Sequence, residues 1–270
     1  MRYGLIAGNG RFPVLALETA RKLGHDVVAI GIQEEASREI ENLAARCYWI
    51  SLGALGRLIE ILRSEGLSDV IMAGQVKHAQ IFSSIRPDWR LVKLLASLKE
   101  KNTDALIGGI IDVLAAEGIR VGDSTMLLKP LLAGAGPLTR RRPGADEEKD
   151  IAYGRRIASA LAGFDVGQSV AVSGRACVAV EAMEGTDAML RRAASIVNGR
   201  PLRLVKVSRR RQHLQFDVPV AGRDTIPVMR ETGTTALAVD AGRTLLLDQE
   251  EMIARADEAG IAIAGYPPEE

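Results

Sequence analysis

Short apolar, β-like runs alternate with helical patterns through the first half of the chain, and this alternation restricts the fold more than any other feature. A β-like run at 3–7 is followed by a helical pattern at 13–23 and another β-like run at 27–32. A strand at 47–50, a helix at 54–64 and a strand at 69–73 come next, and helices at 86–99 and 103–117 follow. A helix between consecutive strands returns the chain to the end of the sheet where it started. The expectation is therefore a parallel sheet with helices on both faces.

Between Leu132 and Asp150 the texture changes. Ala133-Gly134-Ala135-Gly136-Pro137 runs into Arg140-Arg141-Arg142-Pro143-Gly144, and acids follow. Glycine, proline and a charge switch together mark a linker or hinge. The three arginines read first as a solvated linker and second as a phosphate contact. The second half opens on a helix at 149–161 and carries β-like runs at 169–172, 177–181, 202–207, 236–240 and 244–247. Helices at 187–197, 225–231 and 248–259 fall between some of them, and the strand pairs around Gly174 and Gly242 read as hairpins, so this sheet is expected to be mixed. The expected architecture is α/β: a parallel-sheet domain over 1–132, a hinge at 133–145, and a second α/β domain with a mixed sheet over 146–270.

Composition removes several function classes. The 270 residues carry a net charge of +1, which gives no general attraction for nucleic acid, and 4% aromatic residues leave few rings from which to build a base-stacking platform. Two cysteines, Cys47 and Cys177, sit in separate apolar runs and read as buried free thiols in a reducing compartment. No apolar run approaches the length of a membrane span, and the N-terminal residues enter a strand without a signal-peptide core, so the cytoplasm is the expected location.

The run from Val180 to Arg192 sets three carboxylates, Glu181, Glu184 and Asp187, within seven residues at a strand-to-helix turn. Thr186 is the expected N-cap. Clustered carboxylates suit a hard divalent cation, and a helix N-terminus with Arg191 and Arg192 suits phosphate; the plain alternative is acids favoured by the helix dipole. Glu184 and Asp187, lying around the turn, converge on a ligand more easily than Glu181, and Arg191 is either structural or phosphate-facing. Gly8-Asn9-Gly10 follows the first strand and opens a helix, as a phosphate-binding loop does, but Pro13 stands where a dinucleotide fingerprint has its third glycine. Glu34 and Glu35 fall near the spacing of a ribose-binding acid, which keeps an NAD-dependent oxidoreductase as an alternative. Gly74, Gln75 and Lys77 end the strand at 69–73, where a polar ligand is reached, and sparse histidines, His78 among them, argue against zinc. The segment 85–101 is a basic amphipathic helix with Arg90, Lys93, Ser97 and Lys101 on one face. Packing on its own sheet is its first reading and contact with a lipid surface its second. Asp217, in Phe216-Asp217-Val218-Pro219, is either a metal ligand or an Asx turn, and Arg209, Arg210 and Arg211 before it bind phosphate or face water.

Gly4 through Gly10 with Pro13, then Ala73-Gly74-Gln75-Val76, then Ala179 through Arg192, then Asp217-Val218-Pro219 with Gly222 resemble, in the same order, the LpxI-type UDP-2,3-diacylglucosamine pyrophosphatases of lipid A biosynthesis. The block Ala179 to Arg192 is the specific part. The resemblance implies a Rossmann-like N-terminal domain, a catalytic C-terminal domain, and hydrolysis of UDP-2,3-diacylglucosamine to UMP and 2,3-diacylglucosamine 1-phosphate. It implies Mg²⁺ or Mn²⁺, with the family's essential aspartate, in its D-x-P motif, falling on Asp217. Asp217, Asp187 and Glu184 are then the expected catalytic and metal residues. Gly8, Asn9, Gly10, Gly74, Gln75, Lys77, Thr186 and Arg191 are the expected substrate contacts. Asn9 departs from the glycine common in relatives. The implied partner is a lipid-linked UDP-sugar, met in the cytoplasm or at the inner membrane, with no nucleic acid and the oligomeric state open. A non-catalytic nucleotide-sugar or lipid carrier is the remaining alternative.

Overall fold

Strand β1 (Arg2–Ala7) takes the central place in the first sheet. The structure, a computed structural model, describes residues 1–76, 86–99, 103–164, 166–209, 215 and 218–269. β2 (Asp26–Ile32) and β4 (Asp69–Ala73) flank β1 in parallel, β3 (Arg46–Ile50) extends the sheet beyond β2, and β5 (Arg120–Val121) beyond β4. The order β3-β2-β1-β4-β5 is that of a doubly wound nucleotide-binding sheet, whose growth reverses between β1 and β4. Every residue of β2 after Asp26 is buried, as befits a strand covered on both faces. The helices are α1 (Phe12–Lys22), α2 (Leu55–Ser64), α3 (Trp89–Ser97) and α4 (Thr103–Ala116). In α2, Leu55, Leu58, Ile59 and Leu62 recur at helical spacing and pack with Val28, Ile30 and Val70 of the sheet. α3 starts at Trp89 because Pro87 precedes Asp88, whose Oδ1 accepts the Leu91 N–H at 2.9 Å as a cap.

The second sheet has six strands in the order β6-β13-β11-β9-β7-β8. They are β6 (Gly136–Pro137), β7 (Ser169–Ser173), β8 (Ala176–Val180), β9 (Leu202–Lys206), β11 (Thr234–Asp240) and β13 (Ala262–Tyr266). β9, β11 and β13 run parallel, whereas β7 opposes β9, β8 opposes β7 and β6 opposes β13, so the sheet is mixed as expected. One face is covered by α5 (Ala145–Gly163), whose Ile151 and Ala158 meet Val170, Val172, Val205 and Val207. The other face carries α6 (Thr186–Val197), α7 (Thr225–Glu231) and α8 (Gln249–Glu258) over Ala171, Ala179, Leu202, Leu204, Leu237 and Val239. Because side chains alternate along a strand, these two core clusters fix the face of every flanking residue.

Three sequence expectations for this half of the chain need correction. The pair around Gly242 is not a hairpin: β12 (Leu245–Leu247) joins β10 (Val220–Gly222) in a separate parallel two-stranded sheet, since both edges of β11 are already bonded to β9 and β13. Nor do residues 133–145 stand apart as a linker. The Ala133 N–H donates to the Thr244 carbonyl at 2.8 Å, β6 pairs with β13, and Thr139 Oγ1 accepts the Ile263 N–H at 2.9 Å. Arg141 of the basic run forks onto Glu147 at 2.6 and 2.7 Å, a structural pairing. α5 begins earlier than expected because Glu147 accepts the Gly144 N–H at 2.8 Å and three acids occupy its first turn. The chain divides into two compact units, Met1–Leu128 with Gln215, and the remaining described residues. Both cysteines are free and partly buried, and burial pushes the Cys47 thiol up to about 11, away from reactivity. Among the described residues no helix is long and apolar enough to cross a membrane.

Candidate active site

At one end of the second sheet β8 and β9 finish and β7 begins. Ser169 shares the strand face of Ala171, Lys206 that of Leu202 and Leu204, and Glu181 continues the face of Ala179, so all three stand on the α6 side. Ser169 and Lys206 are direct partners in the β7–β9 register. Lys206 Nζ lies 3.3 Å from Thr186 Oγ1, which in turn donates to Glu181 Oε1 at 2.8 Å. Ser169 is 1% exposed and its Oγ has no hydrogen-bond partner. α6 starts here without a side-chain cap: Gly185, at φ 83°, occupies the N-cap position. Thr186, expected to cap, is the first helical residue, with its hydroxyl turned to Glu181. The first N–H groups of α6 are thus left without a side-chain acceptor beside an ammonium and a buried hydroxyl.

Asp187 is a second carboxylate at this end, beside Glu181. It is solvent-exposed, yet burial of its carboxyl raises its pKa, against the lowering effect of Arg191 and Lys206, while Asp224 and Glu181 raise it further. Glu181 therefore belongs to the same charge cluster as Asp187. Glu184 is held elsewhere: its carboxylate accepts the Ala182 N–H at 3.0 Å and Arg192 Nη2 at 2.5 Å. Bonds from its own backbone first, and from Arg192 second, hold its pKa below the ordinary value. Arg191 forks onto Glu231 of α7 with contacts from 3.1 to 3.2 Å, so its guanidinium ties α6 to α7. Among the described residues no three acids, histidines or cysteines gather to hold a metal ion. Asp217, Lys77, His78, Arg210 and Arg211 lie outside the described residues.

In the first unit the loops after β1 and β4 meet at the reversal point of the sheet. The Gly8 N–H donates to Ala73 O at 2.8 Å, the Asn9 N–H to Gln75 O at 2.7 Å, and the Gln75 N–H returns to Asn9 O at 3.0 Å. Gly8 and Gly74 are required here: a Cβ on Gly8 would stand 2.6 Å from Gln75 O, and one on Gly74, at φ 91°, 2.5 Å from Asn9 O. The amides of Gly8 and Asn9 are consequently spent on the backbone, which leaves Gly10 and the start of α1 to meet a ligand. The Asn9 side chain donates to the buried Glu35 at 3.1 Å, and Glu34 accepts the Leu52 N–H at 3.2 Å. These engagements, with Pro13 packed beside Gly74, give the dinucleotide reading no support.

The chain matches the model of the LpxI N-terminal domain over residues 2–131 and that of the LpxI C-terminal domain over 134–264. It is 31% identical, over 279 aligned positions spanning all of this chain and 99% of the other, to the UDP-2,3-diacylglucosamine pyrophosphatase LpxI of Caulobacter vibrioides. The chain belongs to the LpxI family. Solved structures offer only slight likeness. A nucleoside-diphosphate-sugar epimerase of Pseudomonas aeruginosa is 16% identical with a TM-score of 0.28, covering 44% of this chain and 31% of its own. The UDP-glucose 4-epimerase of Bifidobacterium longum is 10% identical with a TM-score of 0.29, covering 43% of this chain and 34% of its own. Scores this low carry no argument.

Within this LpxI-family chain, sequence reasoning missed Lys206 and Ser169. Each ends or begins a β-like run, and the alternation of that run with apolar residues was the available signal. What hid them was not knowing that 169 and 206 are paired across adjacent strands, a long-range contact that no local pattern reports.

Proposed function

We propose that this chain is a hydrolase of a phosphoric anhydride in lipid A biosynthesis, splitting UDP-2,3-diacylglucosamine into UMP and 2,3-diacylglucosamine 1-phosphate. The end-to-end likeness to the Caulobacter enzyme supplies the substrate. The observation that supports a pyrophosphate at this end of the second sheet is the uncapped start of α6, facing Lys206 and the unpartnered Ser169 Oγ. Donors without acceptors are the complement of a group that presents only acceptors.

Lys206 and the α6 N–H groups neutralise and orient the phosphates, and Thr186 presents its hydroxyl between Glu181 and Lys206. In the first unit, Gly10, the N-terminus of α1, Gln75 and Lys77 are assigned to binding a polar part of the substrate. Water attacks the phosphorus nearer the sugar; its P–O bond to UMP breaks, and the oxygen left on UMP carries the departing negative charge. Asp217 orients that water, as the family's essential aspartate.

Asp187 and Asp217 offer the hard oxygen donors that Mg²⁺ or Mn²⁺ prefers, whereas Glu184, occupied by Arg192, is assigned to the turn rather than to the metal. When bound, a divalent cation adds Lewis-acid stabilisation of charge on the phosphate. Exposed Trp89 and Val92, beside Arg90 and Lys93 on α3, form the surface through which the protein meets the membrane that holds its substrate.

The test is incubation of the full chain with UDP-2,3-diacylglucosamine and Mg²⁺, with and without excess EDTA. Release of UMP that EDTA abolishes and Mg²⁺ or Mn²⁺ restores is expected. Binding without turnover would make the chain a carrier, and turnover undiminished by EDTA would remove the metal from the reading.

A further inference from the structure

At the opposite end of the same strands, where β7 turns into β8 and β9 begins, there is a cavity of about 320 Å³. Four cationic side chains, Lys149, Arg175, Arg200 and Arg203, line it together with two carboxylates, Asp146 and Asp150, an excess of two positive charges. A cavity of this size suits a small ligand.

The two carboxylates are already committed. Asp150 is buried; its Oδ1 accepts the Arg175 N–H at 2.6 Å, its Oδ2 accepts the Gly174 N–H at 3.1 Å, and Arg203 Nε stands 3.5 Å away. Asp146 pairs with Lys149 at 2.8 Å. The guanidinium groups have fewer claims on them. Arg203, only 9% exposed, donates Nη1 to the Pro201 carbonyl at 2.7 Å, while its buried Nε makes no hydrogen bond. Arg200 donates Nε to the Val197 carbonyl at a long 3.4 Å, and among the described residues the Arg175 side chain donates to no acceptor. Arg175 also holds the second position of the two-residue turn between β7 and β8 at φ 60°, where glycine or asparagine is the ordinary choice. Turn geometry alone therefore does not explain an arginine there.

We propose that this cavity is a binding site for a doubly charged phosphate group, supplied either by inorganic phosphate or by a small phosphate monoester. Guanidinium forks match the tetrahedral oxyanion in charge and geometry, and Arg203, fixed by Asp150 and the Pro201 carbonyl, gives the site a preset floor. Arg175 and Arg200, at the rim, close on the exposed oxygens. The proposal is independent of the activity assigned to the other end of the sheet, because no residue is shared between the two.

The test is a titration of the ¹⁵N-labelled full chain with inorganic phosphate, and separately with glucose 6-phosphate, following the amide signals of Gly174, Arg175 and Arg200. Saturable shifts confined to this end of the sheet are expected. Arg175→Asn, which accepts the left-handed turn, combined with Arg200→Ala should weaken binding by about tenfold for each guanidinium lost. If that double variant misfolds, Arg200→Ala alone, whose side chain holds nothing but one backbone carbonyl, carries the same expectation for a single step. Tighter binding of glucose 6-phosphate supports the site and assigns it a monoester; equal binding supports it and assigns the bare phosphate group. Shifts that never saturate, or an affinity the substitutions leave unchanged, overturn the proposal.

Discussion

Replacing Lys206 by methionine keeps the apolar stem against the α6 face and removes only the ammonium. Two consequences follow from its surroundings. The first is the loss of a charge-assisted contact to a phosphate oxygen. Such contacts contribute about 1.5–3 kcal/mol, so kcat/KM should fall about ten- to a hundredfold, with far-UV CD unchanged. The second concerns Asp187, whose pKa Lys206 lowers in opposition to burial. Without the ammonium the Asp187 carboxyl rises further, and if catalysis needs it ionised, the acid limb of the pH–rate profile moves to higher pH. Lys206→Arg should restore part of both. The assay is UMP release from UDP-2,3-diacylglucosamine across the acid range for wild type and both variants. A Lys206→Met enzyme within about twofold of wild type, with its acid limb in place, would refute the assignment of this strand end to the pyrophosphate.

Asp187→Asn tests the same carboxylate through stability. Because the folded pKa lies above its ordinary 3.8, ionisation costs the folded state, so this contribution is whole below 3.8 and fades as pH rises through the folded value. The melting temperature of Asp187→Asn relative to wild type should therefore climb between about pH 3 and pH 7; a relative fall over that range would contradict the assigned shift. Gly74→Ala forces a left-handed alanine into Asn9 O and strains both bridging bonds to Asn9, at a combined cost of about 2–4 kcal/mol in urea unfolding; a loss below about 0.5 kcal/mol would mean the two loops do not depend on that close approach. Asp217→Ala should lower turnover by at least about a hundredfold while substrate still binds, and near-wild-type turnover in a folded variant would return Asp217 to a turn residue.

Much of the fold was legible because local periodicity reports it directly. The strand at 69–73 is found where expected, and the apolar run of β2 after Asp26 fits a parallel strand in the interior of the sheet. The failures were failures of partnership. β12 is a strand where one was expected, but its partner is β10 and not β11, since edge availability depends on the whole sheet. Residues 133–145 have the glycine and proline of a linker, yet β6 uses them to seal the edge beside β13, a role visible only once β13 exists. The site divides in the same way. The turn from Glu181 to Asp187 was conspicuous because its residues are contiguous, whereas Lys206 and Ser169 reach it through pairing across strands. Glu184 and Glu181 are held differently for a local reason: Arg192, two turns along from Glu184, pairs with Glu184, and the Thr186 hydroxyl donates to Glu181.

The most direct measurement is a single turnover of UDP-2,3-diacylglucosamine by the wild-type chain in ¹⁸O-water, with both products weighed by mass spectrometry. Attack at the phosphorus nearer the sugar should leave one ¹⁸O in 2,3-diacylglucosamine 1-phosphate and none in UMP. Label in UMP would contradict the assigned direction of attack, and the absence of both products would contradict the assigned reaction itself.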